Sequence, residues 1–196
     1  MLSDKGVTFA VGMAPEEYKQ LTAFSRIDGI YVGILWIISF AFSIVGLSSG
    51  IVGIVGTLLA ILSPIYAYIR LRKFRDYALE GTISFGRAML YYVFIFFYAS
   101  LIFALAQVVY FQFMDNGYML KTYETIVLTP ETIKMLALYG LSHEDLLDSV
   151  RELASTSPIV MALNVMSFNI AIGIVLSIPM AFIAKKNGYI SNNTAV

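Results

Sequence analysis

The sequence predicts an all-α integral membrane protein: a four-helix bundle of two antiparallel transmembrane hairpins, with an N-terminal interfacial helix and short extracytoplasmic helices. Two observations predict this class. Hydrophobic residues make up 59% of the 196 residues and charged residues only 13%, about half the charged share of an average soluble domain. In addition, four stretches are long and apolar enough to cross a hydrocarbon layer of roughly 30 Å as helices. The whole chain, 1–196, is therefore expected to form a single membrane domain.

The four predicted spans are joined by connections of very different length. The first covers residues 27–47, and the short SSG link after it forces an antiparallel hairpin with the second, at 51–69. The third covers residues 88–114 and the fourth 158–184. Because the third is longer than the hydrocarbon layer requires, it is expected to tilt or to protrude from the bilayer.

Lysine and arginine are concentrated on one side of the predicted membrane. Ten of them lie in residues 1–26, in the loop 70–87 or after the fourth span. The segment 115–157 carries only three, against seven acidic residues. By the positive-inside bias, both termini and the basic loop are expected in the cytoplasm and the segment 115–157 outside.

The basic loop also holds the candidate contact residues. The first interpretation of its charge is a topological anchor, and the alternative is a site for anionic lipid headgroups or for a partner protein. The candidates for lipid or partner contact are Arg70, Arg72, Lys73, Arg75 and Arg87.

Two soluble segments show helix signals. Residues 15–26 begin with Pro15 and two glutamates, which suit a first turn, and continue with apolar residues at helical spacing. This helix is expected to lie along the cytoplasmic interface, with a straight extension of the first span as the open alternative. In 115–157, Thr129 and Ser142 are predicted N-caps of two short helices. Their apolar faces are expected to cover the outer ends of the spans, or alternatively to form a docking surface for a partner or a lid over an outward-facing cavity.

Small residues form stripes on the predicted spans. In lipid, helices associate through small residues that allow close backbone approach and through buried hydrogen bonds. The stripes are therefore interpreted as packing positions of the bundle, with dimerisation as an open alternative. The candidate packing residues are Gly53, Gly56, Ala60, Ser63, Ala67 and Gly173.

Few polar side chains lie inside the spans. Gln107, Asn164 and Asn169 fall at similar depth on the third and fourth spans and are expected to share a hydrogen-bonded cluster. The cluster is interpreted as structural, or alternatively as lining a path for a solute. The one charged residue is Asp28, which is expected to be hydrated at the cytoplasmic edge beside Arg26, so a proton-coupled mechanism is disfavoured.

The run KFRDYALEGTISFGRAM, residues 73–89, lies between two apolar helices and resembles the bacterial membrane family catalogued as domain of unknown function 4199. The likeness extends over about residues 27–186 and includes Arg75-Asp76 after the second span and FMDNG after the third. That family has no assigned reaction, ligand or catalytic residues. The resemblance therefore implies only residence in the inner membrane of a diderm bacterium and the same topology.

The sequence favours a noncatalytic role. It contains no cysteine, Gly-rich phosphate loop, paired-carboxylate site or nucleophile–base arrangement, so we expect no enzyme and no cofactor or metal site. The zero net charge argues against a nucleic-acid partner. The leading hypothesis is a subunit, scaffold or assembly partner that contacts the lipid bilayer and a membrane-protein partner or a second copy. The alternative is a small oligomeric transporter or channel component.

Overall fold

The computed structural model describes residues 13–186, and these residues fold into seven α-helices. Four of the helices are long and apolar enough to cross a membrane. The predicted all-α bundle is confirmed, and the chain is a multi-pass membrane protein. The four long helices are α1 (Pro15–Gly46), α2 (Gly50–Lys73), α3 (Phe85–Phe113) and α7 (Pro158–Ala184).

The bundle has two different ends. At the hairpin end, residues 47–49 join α1 to α2. Three short helices lie between α3 and α7, namely α4 (Tyr118–Val127), α5 (Pro130–Leu138) and α6 (His143–Ser155). At the opposite end, here called the basic end, α1 begins, α2 passes into a π-helical turn (Phe74–Ala78), and α3 begins.

Helix α1 is continuous, so a separate interfacial helix does not form. Residues 15–26, which were predicted to lie along the interface, instead form the first turns of α1. They are therefore a straight extension of the first span, which was the alternative interpretation. Leu21 and Ser25 are fully buried, and the ring of Tyr18 meets that of Phe94 edge-on with centroids 6.1 Å apart. These contacts hold residues 15–26 in line with the rest of α1.

Helix α3 lies between α1 and α7, whereas α2 packs mainly on α1. Glycines permit these close contacts. A Cβ atom on Gly29 of α1 would lie 2.6 Å from the Cβ of Tyr98 on α3, and Gly173 of α7 is buried directly against Phe96. The backbones therefore approach at distances that a larger residue would prevent, as expected for helices that associate in lipid.

The predicted small-residue stripe of α2 partly faces α1. Gly53 lies against Gly46, and a Cβ on Gly56 would be 2.8 Å from the Ser39 carbonyl oxygen. Farther along, Ser63 and Ala67 are buried, whereas Ala60 is exposed. Trp36 of α1 donates a 2.7 Å hydrogen bond from its indole nitrogen to the Ser63 hydroxyl.

Helices α5 and α6 begin where their cap residues predict, but α4 was not anticipated. The Thr129 hydroxyl accepts the Thr132 N–H, and the Ser142 hydroxyl accepts the N–H groups of Glu144 and Asp145. Helix α4 has no side chain at its N-cap, and the Asp115 carboxylate instead accepts the N–H of Met119 in its first turn. It follows Gly117, whose φ of 77° lies in the left-handed region that glycine adopts readily.

The connection from α2 to α3 is short and packed on the end of α7. Glu80 and Gly81 both have positive φ and turn the chain. Ile83 then forms an antiparallel bridge with Lys186, through backbone hydrogen bonds of 3.0 and 3.1 Å. The start of α3 is thereby held beside the C-terminal end of α7.

Candidate functional site

Asp28 lies in the interior of the basic end. Only 3% of it is exposed, and it is 18 residues before the end of α1 at Gly46, about 27 Å along the axis at roughly 1.5 Å per residue. It therefore lies near the boundary of a hydrocarbon layer of about 30 Å. The expectation that Asp28 is hydrated beside Arg26 is wrong, because neighbouring helices enclose its carboxylate.

Both carboxylate oxygens of Asp28 have partners. Oδ1 accepts a 2.7 Å hydrogen bond from Nε of Arg70 and a second bond from Nη2 of the same guanidinium. Oδ2 accepts a 2.5 Å hydrogen bond from the hydroxyl of Tyr91. A buried carboxylate needs such partners, since an unpaired charge in a low-dielectric interior is very costly. The cluster ties α1, α2 and α3 together.

Aromatic contacts fix the two partners of Asp28. The ring of Tyr91 stacks on Phe74 with centroids 4.2 Å apart and planes 9° from parallel. The guanidinium of Arg70 lies 5.0 Å from the centroid of Tyr31, one helical turn beyond Asp28 on α1. The side chain of Arg70 is 24% exposed, so one side of the guanidinium contacts protein and the other is open.

A second set of polar contacts secures the N-terminal turns of α1. Arg87 on α3 donates to Glu17 at 3.1 Å and to the Gln20 side-chain oxygen at 2.9 Å. The amide nitrogen of Gln20 in turn donates to the Ala78 carbonyl oxygen. Both ends of the Gln20 side chain are thus occupied, and α1 is joined to the π-helical turn as well as to α3.

A third contact joins the π-helical turn to α7. Arg75 forms a bidentate pair with Asp76 and donates a 2.9 Å hydrogen bond to the carbonyl oxygen of Ala184. That carbonyl belongs to the last turn of α7, where backbone acceptors lack intrahelical donors. Arg75 therefore satisfies a helix end.

The five basic candidates consequently divide into two groups. Arg70, Arg75 and Arg87 make the internal contacts just described. Arg72 and Lys73 are exposed, and no ion pair joins either of them to another residue within 13–186. The side chains available to lipid or to a partner are therefore chiefly Arg72 and Lys73, together with the open side of Arg70.

The three amide candidates are not joined by hydrogen bonds. Gln107 is buried, but its carbonyl oxygen has no protein partner. Asn164 is exposed and Asn169 only partly buried. Because Gly173 packs on Phe96 in an antiparallel pair, counting along both helices places Asn169 at the level of Ser100 rather than of Gln107. The expected shared cluster is not formed.

A cleft of about 550 Å³ lies beside the Asp28 cluster at the basic end. Asp28, Arg70 and Tyr91 contribute to its wall, together with Lys73 and the rings of Phe24 and Tyr77. Its size falls within the range of about 300–1,000 Å³ that is common for small-molecule sites. The cleft combines buried charge, an exposed lysine and aromatic surface. Within the described residues, no group of three His, Asp or Glu side chains is placed to hold a metal ion.

Comparison with known families agrees with the resemblance in the sequence. Residues 28–186 match the model of the family described as "Protein of unknown function (DUF4199)". The chain belongs to this family. The match begins at Asp28 and includes Arg70 and Tyr91, so the whole buried cluster lies within the family domain. No curated protein and no solved structure matches the chain significantly.

Sequence reasoning missed the Asp28 cluster although a signal was present. The SSG link places the ends of α1 and α2 at the same level, so a residue 18 positions before Gly46 and one 20 positions after Gly50 lie at similar depth. Those residues are Asp28 and Arg70. A carboxylate and a guanidinium at matching depth in one hairpin predict an ion pair. The contribution of Tyr91, by contrast, depends on how α3 packs.

Substitution at Asp28 tests the energetic importance of the cluster. Asp28→Ala leaves the Arg70 guanidinium half-buried without its partner and is expected to lower the free energy of unfolding by about 3 kcal/mol, the low end for a broken buried pair because Arg70 is partly hydrated. The double variant Asp28→Leu/Arg70→Met removes both charges and is expected to lose clearly less than the sum of the single variants. Unfolding in one detergent compares these variants with the single variants Asp28→Leu and Arg70→Met.

The matched control is the exposed pair of Glu16 and Lys19. Glu16→Ala removes a carboxylate from the same helix and is expected to leave the unfolding curve unchanged, because exposed pairs are well hydrated. An Asp28→Ala variant as stable as the wild type would contradict the role assigned to the cluster.

Proposed function

We propose that this chain is a noncatalytic subunit or assembly partner in the inner membrane of a bacterium. The observation that carries the proposal is the filled interior of the bundle. Trp36 of α1 packs edge-on against Phe96 and Phe103 of α3, with centroids 5.4 and 5.9 Å apart, and Tyr92 stacks on Phe96. Aromatic side chains thus occupy the middle of the helix pair, which favours a rigid structural role over conduction through one chain.

Two surfaces of the bundle suit contact with a partner. At the basic end, Arg72 and Lys73 are exposed next to Tyr77, whose residue surface is 87% exposed. At the hairpin end, Tyr139 and its apolar neighbours Leu138 and Leu141 are exposed between α5 and α6. A positive aromatic patch and a compact apolar patch are both typical of recognition surfaces.

A small oligomeric transporter or channel component is the second candidate, and unpaired polar atoms favour it. Gln107 and Ser100 lie seven residues apart on one face of α3, and a buried oxygen atom of each lacks a protein partner. Buried polar atoms without partners are costly and often mark functional positions in a membrane. Proton coupling was disfavoured on the expectation that Asp28 is hydrated at the membrane edge, and this reason no longer applies because Asp28 is buried.

The assembly proposal predicts a stoichiometric partner. Purification in a mild detergent, followed by native mass spectrometry, is expected to show the chain with a second protein or a second copy. Arg72→Glu is expected to release that partner because it reverses charge on the exposed basic surface, whereas Lys121→Glu, an equal reversal on α4 outside both surfaces, is expected to retain it. A partner-free chain that conducts solute in proteoliposomes, with flux lost in Gln107→Leu, would replace this proposal with transport.

Cysteine labelling tests the proposed orientation, in which the basic end faces the cytoplasm. The chain contains no cysteine, so single substitutions report unambiguously. In intact spheroplasts, Ser142→Cys at the start of α6 is expected to react with an impermeant thiol reagent, and Thr82→Cys in the basic loop is expected to react only after permeabilisation. If only Thr82→Cys reacted in intact spheroplasts, the topology would be the reverse of the one proposed.

A further inference from the structure

The cleft at the basic end presents donors of hydrogen bonds but few free acceptors. Both oxygens of Asp28 are engaged by Arg70 and Tyr91, and the two ends of the Gln20 side chain are also occupied. The Nη1 of Arg70 bonds to no acceptor among residues 13–186, and Lys73 is exposed at the wall of the cleft. With one acid and two basic residues, the lining carries one net positive charge. An anion is therefore the complementary occupant.

The aromatic walls indicate that this anion has an apolar part. The half-exposed ring of Phe24, the ring of Phe74 and the largely exposed ring of Tyr77 line the same cleft. A small hydrated anion gains little from such walls. An amphiphile gains both the ionic contacts and the burial of apolar surface.

A second, apolar groove lies next to the cleft, because Arg70 of the cleft contacts Tyr31 of the groove. It has a volume of about 290 Å³ and lies on the outer surface of the α1–α2 hairpin, lined by residues that include Tyr31, Ile34, Leu59 and Leu62. Arg70 connects the two spaces, since its guanidinium contributes to the cleft and lies over the ring of Tyr31 in the groove. The groove runs from Arg70 toward the hairpin end, which is along the hydrocarbon region.

The order of these features along the membrane normal matches a phospholipid. Arg70 is 20 residues from the start of α2, about 30 Å along the axis at roughly 1.5 Å per residue, so it lies at the hydrocarbon boundary. Phosphates of the adjoining leaflet lie at that depth, and acyl chains extend from it toward the bilayer centre. Arginine and lysine are suitable donors for a phosphate group.

We propose that the cleft and the groove together bind one anionic phospholipid, with its phosphate on Arg70 and Lys73 and an acyl chain along Ile34, Leu59 and Leu62. Asp28 is then a positioning residue, because it orients the Arg70 guanidinium without contacting the lipid. This site shares Lys73 and Tyr77 with the basic surface assigned to a protein partner, but it requires no partner to be present.

Native mass spectrometry of the purified chain tests the headgroup contact. One phosphatidylglycerol is expected to bind in preference to phosphatidylcholine. Lys73→Gln is expected to weaken that binding about fivefold, as for loss of one partly exposed ion pair. Arg72→Gln is the matched control, since Arg72 is an exposed neighbour that does not line the cleft, and it is expected to bind as the wild type does. Equal binding of the two lipids, or no effect of Lys73→Gln, would overturn the proposal.

A second pair of variants tests the groove. Leu62→Trp fills it and is expected to weaken phosphatidylglycerol binding, whereas Leu58→Trp, at a comparably exposed position of α2 outside the groove, is expected to have no effect. Equal effects of the two variants would exclude the acyl-chain assignment. Inorganic phosphate in large excess is expected to leave the lipid bound. Complete displacement of the lipid by phosphate would show that the site binds a free anion and would overturn the proposal of a lipid ligand.

The lipid experiment and the assembly experiment can fail independently. The first uses the chain alone and depends on Lys73 and Leu62, whereas the second depends on Arg72 and on a second protein or copy. A chain that binds phosphatidylglycerol selectively but has no partner supports the lipid site and contradicts the assembly role. A chain that has a partner but does not bind phosphatidylglycerol selectively supports the assembly role and contradicts the lipid site.

Discussion

The need to pair a buried carboxylate constrains the whole basic end. Asp28 is held at the hydrocarbon boundary by its position in α1, and because only 3% of it is exposed its carboxylate needs partners from the protein. Arg70 from α2 and Tyr91 from α3 must therefore approach it together. These contacts join α1, α2 and α3 at one point, and this constrains the rotation of each helix about its own axis.

The remaining contacts at this end build on that arrangement. Tyr91 stacks on Phe74, the first residue of the π-helical turn that continues α2. The same turn brings Ala78 to Gln20 and Arg75 to the C-terminal end of α7. The N-terminal turns of α1 are thereby packed rather than free to lie on the membrane surface. Charge that resembles a simple cytoplasmic anchor in the sequence is, in large part, an internal network.

Sequence reasoning succeeded where one strong local constraint decides the outcome. The length of apolar runs locates the four long helices, and hydroxyl N-caps such as Thr129 locate α5 and α6. It failed where the outcome depends on helix rotation or on several weak signals. Asn164 faces outward because Gly173 docks α7 on Phe96, a contact that no local pattern specifies. Helix α4 follows Gly117, and its first-turn N–H of Met119 is accepted by Asp115, which lies two residues before the N-cap, so the usual N-cap pattern is absent.

The other contacts of the basic end depend most directly on the contact between Asp28 and Arg70 while the protein is in a bilayer. Solid-state NMR on protein with carboxyl-labelled aspartate and guanidinium-labelled arginine, reconstituted in lipid, measures this contact by carbon–nitrogen dipolar dephasing. Strong dephasing is predicted for the carboxylate carbons of Asp28 and of Asp76, which pairs with Arg75, and Arg70→Lys is expected to abolish the dephasing of Asp28 alone. Dephasing that is unchanged in Arg70→Lys would show that arginine does not contact Asp28 and would contradict this account.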